Sequence, residues 1–70
     1  MRRLRVGNRY TCDNDTVEYI EVLDINKKDK VFPIVCKIIF KDGSRCTDTF
    51  TESGTLSDLG FTDMDILEEL

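Results

Sequence analysis

The chain has 70 residues, a formal net charge of −4, and a composition that is 40% hydrophobic and 34% charged. A domain of this size buries only about 60% of the surface its unfolded chain exposes, so a single thin core worth roughly 3–5 kcal/mol is expected over residues 1–70. It leaves little room for an enclosed ligand pocket of about 300–1,000 Å³. Runs of β-branched and aromatic residues exclude a disordered chain, and no stretch approaches the roughly 18 consecutive apolar residues of a membrane-spanning helix.

Charge is distributed unevenly. Residues 1–10 hold Arg2, Arg3, Arg5 and Arg9 and no acid, whereas residues 47–70 hold seven acids and no base. An acidic balance argues against general nucleic-acid binding, which needs a basic footprint, and favours basic protein partners or solubility alone. Polar Gly7-Asn8-Arg9 follows the basic start, where a signal peptide needs an apolar run. The expectation is a chain that stays in the compartment where it is made. Cys12, Cys36 and Cys46 are odd in number and widely spaced. They read as reduced thiols of a cytosol, with Cys36 and Cys46 turned inward as small hydrophobes. A reactive or zinc-bound thiol is the alternative, and no histidine is present to support either.

In chain order, Val6 to Cys12 is expected as a short first strand with Tyr10 in the core, followed by turn chemistry at Asp13-Asn14-Asp15. Thr16 to Ile25 is the second strand. Its alternation places Val17, Tyr19, Leu23 and Ile25 on one face and Ile20 and Val22 on the other, so a bulge or bend is expected near Ile20. Asn26 to Lys30 is a polar connection. Val31 to Phe40 is the clearest strand, with Phe32, Ile34, Cys36, Ile38 and Phe40 on one apolar face. Pro33 belongs near its end or on an edge.

Asp42-Gly43 signals a hairpin. A two-residue turn would set the apolar face of the third strand against a polar one. A three-residue loop, Lys41-Asp42-Gly43 with Gly43 left-handed, pairs Phe40 with Ser44, Ile38 with Cys46 and Ile34 with Phe50. A slip of one residue reverses every side chain, so the second register is preferred, with Thr47, Thr49 and Thr51 outward. Glu52-Ser53-Gly54 is a further turn, and Thr55-Leu56 is a possible fifth strand. The tail from Thr62 to Leu70 is expected as one or two helical turns with Thr62 as N-cap, or else a short strand through Asp65-Ile66-Leu67. The fold class is therefore all-β: a small, five-stranded, strongly bent antiparallel sheet or SH3-like barrel. Phe32, Ile34, Ile38, Cys46 and Phe50 are expected to seal one side.

Several short motifs resemble a family of small phage-encoded SH3-like barrel proteins. Val6-Gly7-Asn8-Arg9-Tyr10 looks like their opening "V-G-x-x-Y", Phe32-Pro33-Ile34-Val35 like their aromatic-Pro-aliphatic strand start, and Phe50-Thr51-Glu52-Ser53-Gly54 like their "aromatic-T-x-x-G". Asp42-Gly43 falls at their hairpin turn, and Asp65-Ile66 fits their closing acidic-aliphatic pair. The pattern lapses over Thr55 to Thr62 and beyond Leu67. The resemblance implies a phage accessory protein in the host cytosol that binds and modulates or inhibits a host protein.

Catalytic constellations are absent from the sequence. There is no histidine base, no P-loop and no dinucleotide fingerprint, and Asp13-Asn14-Asp15 and Asp63-Met64-Asp65 lack the Gly and Glu of a calcium loop. Neither an enzyme nor a cofactor or metal is expected. Two surfaces are candidates. Asp58, Asp63, Asp65, Glu68 and Glu69 form an acidic patch suited to a basic protein surface, or a merely solubilising face. Arg2, Arg3, Arg5 and Arg9 would serve the alternative of nucleic-acid binding. A third reading is self-association through edge strands carrying Arg45, Thr47, Thr49 and Thr51.

Overall fold

The computed structural model describes residues 4–70, so Met1, Arg2 and Arg3 lie outside the described residues. Four strands, β1 (Arg9–Tyr10), β2 (Val17–Ile25), β3 (Ile34–Phe40) and β4 (Arg45–Phe50), form one open antiparallel meander in the order β1-β2-β3-β4. The all-β class is as expected. Among the described residues there is no helix, and the sheet has four strands rather than five.

The β3–β4 register is the one that burial selected. Ile34 pairs with Phe50 and Ile38 with Cys46, and the Phe40 amide donates to the Ser44 carbonyl at 2.9 Å. Gly43 closes the loop with φ of 91°, a conformation that costs little only without a Cβ. Asp42 Oδ1 accepts from the Ser44 amide at 2.8 Å and the Ser44 hydroxyl at 2.6 Å. β3 begins at Ile34 rather than Val31, for a local reason. Asp29 Oδ1 accepts from the amides of Val31 (3.0 Å) and Phe32 (2.9 Å), holding them in the loop, and Pro33 has no N–H for the ladder.

β2 carries two register shifts against β3, between Val17 and Tyr19 and between Val22 and Asp24. Each inserts one extra residue and re-phases the strand. Val17, Ile20 and Val22 therefore all reach the core, and Ile25 packs partly against it. Tyr19 and Leu23 point away, which corrects the expected face Val17-Tyr19-Leu23-Ile25. The bend expected near Ile20 is thus two bulges that flank it.

The core comprises Leu4, Tyr10, Val17, Ile20, Val22, Ile34, Cys36, Ile38, Phe50 and Ile66. Of the five residues expected to seal one side, Ile34, Ile38 and Phe50 are buried and Phe32 is half-buried. Cys46 is exposed. It lies opposite Ile38 on the edge strand β4, which is buried only at Phe50, so the expected inward position is corrected.

After β4 the chain turns through 51–55, where the Gly54 amide donates to the Thr51 carbonyl at 2.9 Å and the Thr51 amide to the Thr55 carbonyl at 2.8 Å. The fifth strand expected at Thr55-Leu56 does not form. The tail is not helical either. It runs beside β1, with a bridge between Tyr10 and Glu69. The Leu67 amide donates to the Thr11 carbonyl, the Thr11 amide to the Glu68 carbonyl and the Leu70 amide to the Arg9 carbonyl, each at 2.8 Å. The free edge of β1 offers the tail long-range partners that a helix of under ten residues could not match by itself. Ile66, the one buried member of the expected apolar stripe Ile66-Leu67-Leu70, also donates its amide to the Gly54 carbonyl at 2.8 Å.

Candidate functional site

The acidic candidates separate into two kinds. Asp58, Asp63, Glu68 and Glu69 are exposed. Asp63 Oδ2 accepts from Asn14 Nδ2 at 3.3 Å, and Glu69 Oε1 from Asn8 Nδ2 at 2.9 Å. Asp65 is different, being only 8% exposed. Its Oδ1 accepts from the Leu56 amide at 2.9 Å and the Thr62 hydroxyl at 2.8 Å, and its Oδ2 from the Thr62 amide at 3.0 Å. Burial alone would raise its pKa, but these three hydrogen bonds outweigh it and hold the carboxyl below the usual Asp range. Thr62 does make the contact expected of a cap, its Oγ1 accepting from the Met64 amide at 3.2 Å while its own N–H and hydroxyl donate to Asp65, but no helix follows. Asp65 thus ties together the two ends of the segment 56–62.

That segment also carries two large apolar side chains that lie outside the core. Leu59 is 93% exposed and Phe61 92% exposed, on either side of Gly60. Large apolar side chains default to the core in a periodicity argument. The signal that they do not belong there is their setting, Leu-Gly-Phe between Asp58 and Asp63, where no strand alternation continues. Beside Phe61 runs an open groove of about 460 Å³, lined by Asp13, Phe61, Thr62, Asp65, Ile66 and Leu67 among others. Its lining carries the carboxylates of Asp13 and Asp65. The half-buried Cys12 thiol is pushed up first by burial, against a lowering hydrogen bond from the Asn14 backbone, and then by the charges of Asp63, Asp13 and Asp65.

The arginine candidates are not gathered into a site. Arg2 and Arg3 lie outside the described residues, and Arg5 is exposed. Arg9 is engaged within the fold. Its guanidinium carbon lies 4.4 Å from the centre of the Tyr19 ring, and its Nε 3.1 Å from Glu21 Oε1. Arg9 and Glu21 face each other across β1 and β2. No three His, Cys, Asp or Glu side chains converge on a metal-binding arrangement among the described residues. β4, which holds Arg45, Thr47 and Thr49, is an edge of the sheet.

Comparison of the chain with protein-family models, with curated proteins and with solved structures gave no match.

Proposed function

We propose that this chain is a non-catalytic binding module that forms a stoichiometric complex with a protein bearing a basic surface. The observation that carries this reading is the stretch 47–70, which has seven acids and no base and displays Asp58, Asp63, Glu68 and Glu69 on the exterior. Asp65 is excluded from the contact surface by its burial. The likeness to small phage-encoded barrel proteins supports a host protein as the partner, met in the host cytosol and modulated or inhibited on binding. The nucleic-acid alternative is less well supported, because Arg9 is committed to Tyr19 and Glu21.

The test is affinity capture from host cytosol with the intact chain, beside a variant carrying Asp58→Asn, Asp63→Asn, Glu68→Gln and Glu69→Gln. All four positions are exposed, so the variant keeps its fold, judged by circular dichroism. A partner recovered by the native chain at low salt is lost by the variant and weakened by ionic screening. Capture of the same protein by both chains, insensitive to salt, would overturn the acidic-surface reading. Recovery of nucleic acid instead would favour the arginine alternative.

A further inference from the structure

The groove beside Phe61 combines an exposed aromatic face, an apolar floor and a carboxylate. Phe61 stands 92% exposed, Ile66 and Leu67 contribute to the lining, and Asp13 belongs to the same groove. All the residues that line it come from two stretches, 10–26 and 47–70, and neither stretch contains a lysine or arginine. Among the described residues, therefore, no lysine or arginine lines the groove, whose lining carries the carboxylates of Asp13 and Asp65.

The chain already shows what satisfies such a combination. Arg9 lies over the Tyr19 ring at 4.4 Å while its Nε contacts Glu21 at 3.1 Å, an aromatic face and a carboxylate answered by one guanidinium. We infer that the groove receives an arginine side chain from a basic segment of a protein partner, with its stem along Ile66 and Leu67, its guanidinium on Phe61 and its charge toward Asp13. This inference rests on the reading of the chain as a module for basic proteins, and it adds the place and the chemistry of contact. Arginine suits the groove better than lysine because its flat, weakly hydrated head stacks on aromatic rings and forks onto carboxylates. Asp65 contributes negative potential, but its oxygens are occupied by Leu56 and Thr62. It is the positioning residue that holds the Phe61 segment at both ends.

The test uses the full chain labelled with nitrogen-15 and three peptides at about 50 mM salt: acetyl-Leu-Arg-Leu-Arg-Leu-amide, its lysine counterpart, and its citrulline counterpart, which keeps the shape and removes the charge. The arginine peptide shifts the amide resonances of Asp13, Phe61, Thr62 and Leu67. The lysine peptide binds about threefold more weakly and the citrulline peptide at least tenfold more weakly. Phe61→Ser and Asp13→Asn, both at exposed positions that leave the fold intact, each weaken the arginine peptide by roughly two- to fivefold, the scale of one exposed cation–π or ion-pair contact. Asp65→Asn broadens or moves the resonances of 57–61 and weakens the peptide as well.

Binding that falls with Glu68→Gln and Glu69→Gln but ignores Phe61→Ser would overturn the groove and leave the acidic-surface reading standing. Equal binding of the citrulline peptide would overturn both. No shift with the arginine peptide, attachment of Phe61 to phosphatidylcholine vesicles in its place, or concentration-dependent self-association through Phe61 would each overturn the groove.

Discussion

Asp65 Oδ1 lies 2.9 Å from the backbone nitrogen of Leu56, nine residues earlier in the chain. The same carboxylate holds the amide and hydroxyl of Thr62, so one nearly buried side chain closes the loop that displays Leu59 and Phe61. In a core this thin, a single closure of that kind is a large share of the total stability.

Replacing Asp65 is accordingly costly. Asp65→Ala leaves the Leu56 and Thr62 donors without their acceptor and destabilises the fold by about 1–3 kcal/mol. Asp65→Asn keeps one acceptor oxygen and costs less. The pH dependence has a definite sign. Because the folded-state pKa is depressed, the contribution of Asp65 is fully present above the ordinary Asp value of about 3.9. It is lost as pH falls from there toward the folded-state value. Urea unfolding of the native chain and Asp65→Asn between pH 2 and pH 7 should show a stability gap that narrows below about pH 4. Asp29 and Asp42 are also held low, by the amides of Phe32 and Val31 and by the hydroxyl and amide of Ser44 respectively, but both are present in the two proteins and cancel in the difference. A gap that does not change with pH would remove the carboxylate from the account.

Removing residues 67–70 tests the tail. The deletion eliminates the three 2.8 Å backbone bonds with Arg9 and Thr11 and bares the outer edge of β1. At about 0.5–1.5 kcal/mol per bond, the loss is roughly 2–4 kcal/mol. For a domain of this size that corresponds to a fall in Tm of about 8–30 °C, readable by thermal circular dichroism. An unchanged Tm would mean that the tail adds nothing to the sheet.

Two glycines give opposite outcomes. Gly43 has φ of 91°, and a Cβ added there meets no atom within 4 Å. The cost of Gly43→Ala is thus conformational, about 1–2 kcal/mol. Gly60 is equally open and has no positive φ, so Gly60→Ala is neutral or stabilises by up to about 1 kcal/mol through the unfolded chain. Denaturation midpoints of the two variants order them directly.

The three thiols should react in a set order. Cys46 is exposed and is modified first by a thiol reagent such as dithionitrobenzoate. Cys12 is half-buried and its thiol is pushed up by burial and neighbouring carboxylates, so it follows slowly. Cys36 is fully buried, and burial, with Asp48 opposite, pushes its thiol up to about 12. It reacts only on unfolding, because the thiolate is the nucleophile. Mass spectrometry of partly labelled protein reads the sequence of events. Early modification of Cys36 would contradict the packing.

The local signals in the chain were enough for the all-β class, the Gly43 loop and the β3–β4 register. Phe32 to Phe40 alternate in hydrophobicity, and only one pairing sets Ile34 against Phe50 and Ile38 against Cys46. Such features depend on residues a few positions apart, so a period of two and a turn motif contain them. The same logic failed on β2, because an inserted residue at each end of the Ile20–Val22 step changes which positions count as even.

What the tertiary structure alone decided lies mainly in the C-terminal third. The apolar spacing of Ile66, Leu67 and Leu70 is compatible with a helix or a strand. The choice fell to partners more than fifty residues away, Arg9 and Thr11, whose outward backbone groups the tail satisfies. The role of Asp65 was equally invisible, since an aspartate that seals a loop and one that meets a partner have the same side chain and differ only in burial. Leu59 and Phe61 were equally unreadable: the segment meets the core through residues that flank them, Leu56 on one side and Met64 and Ile66 on the other, and leaves Leu59 and Phe61 exposed between.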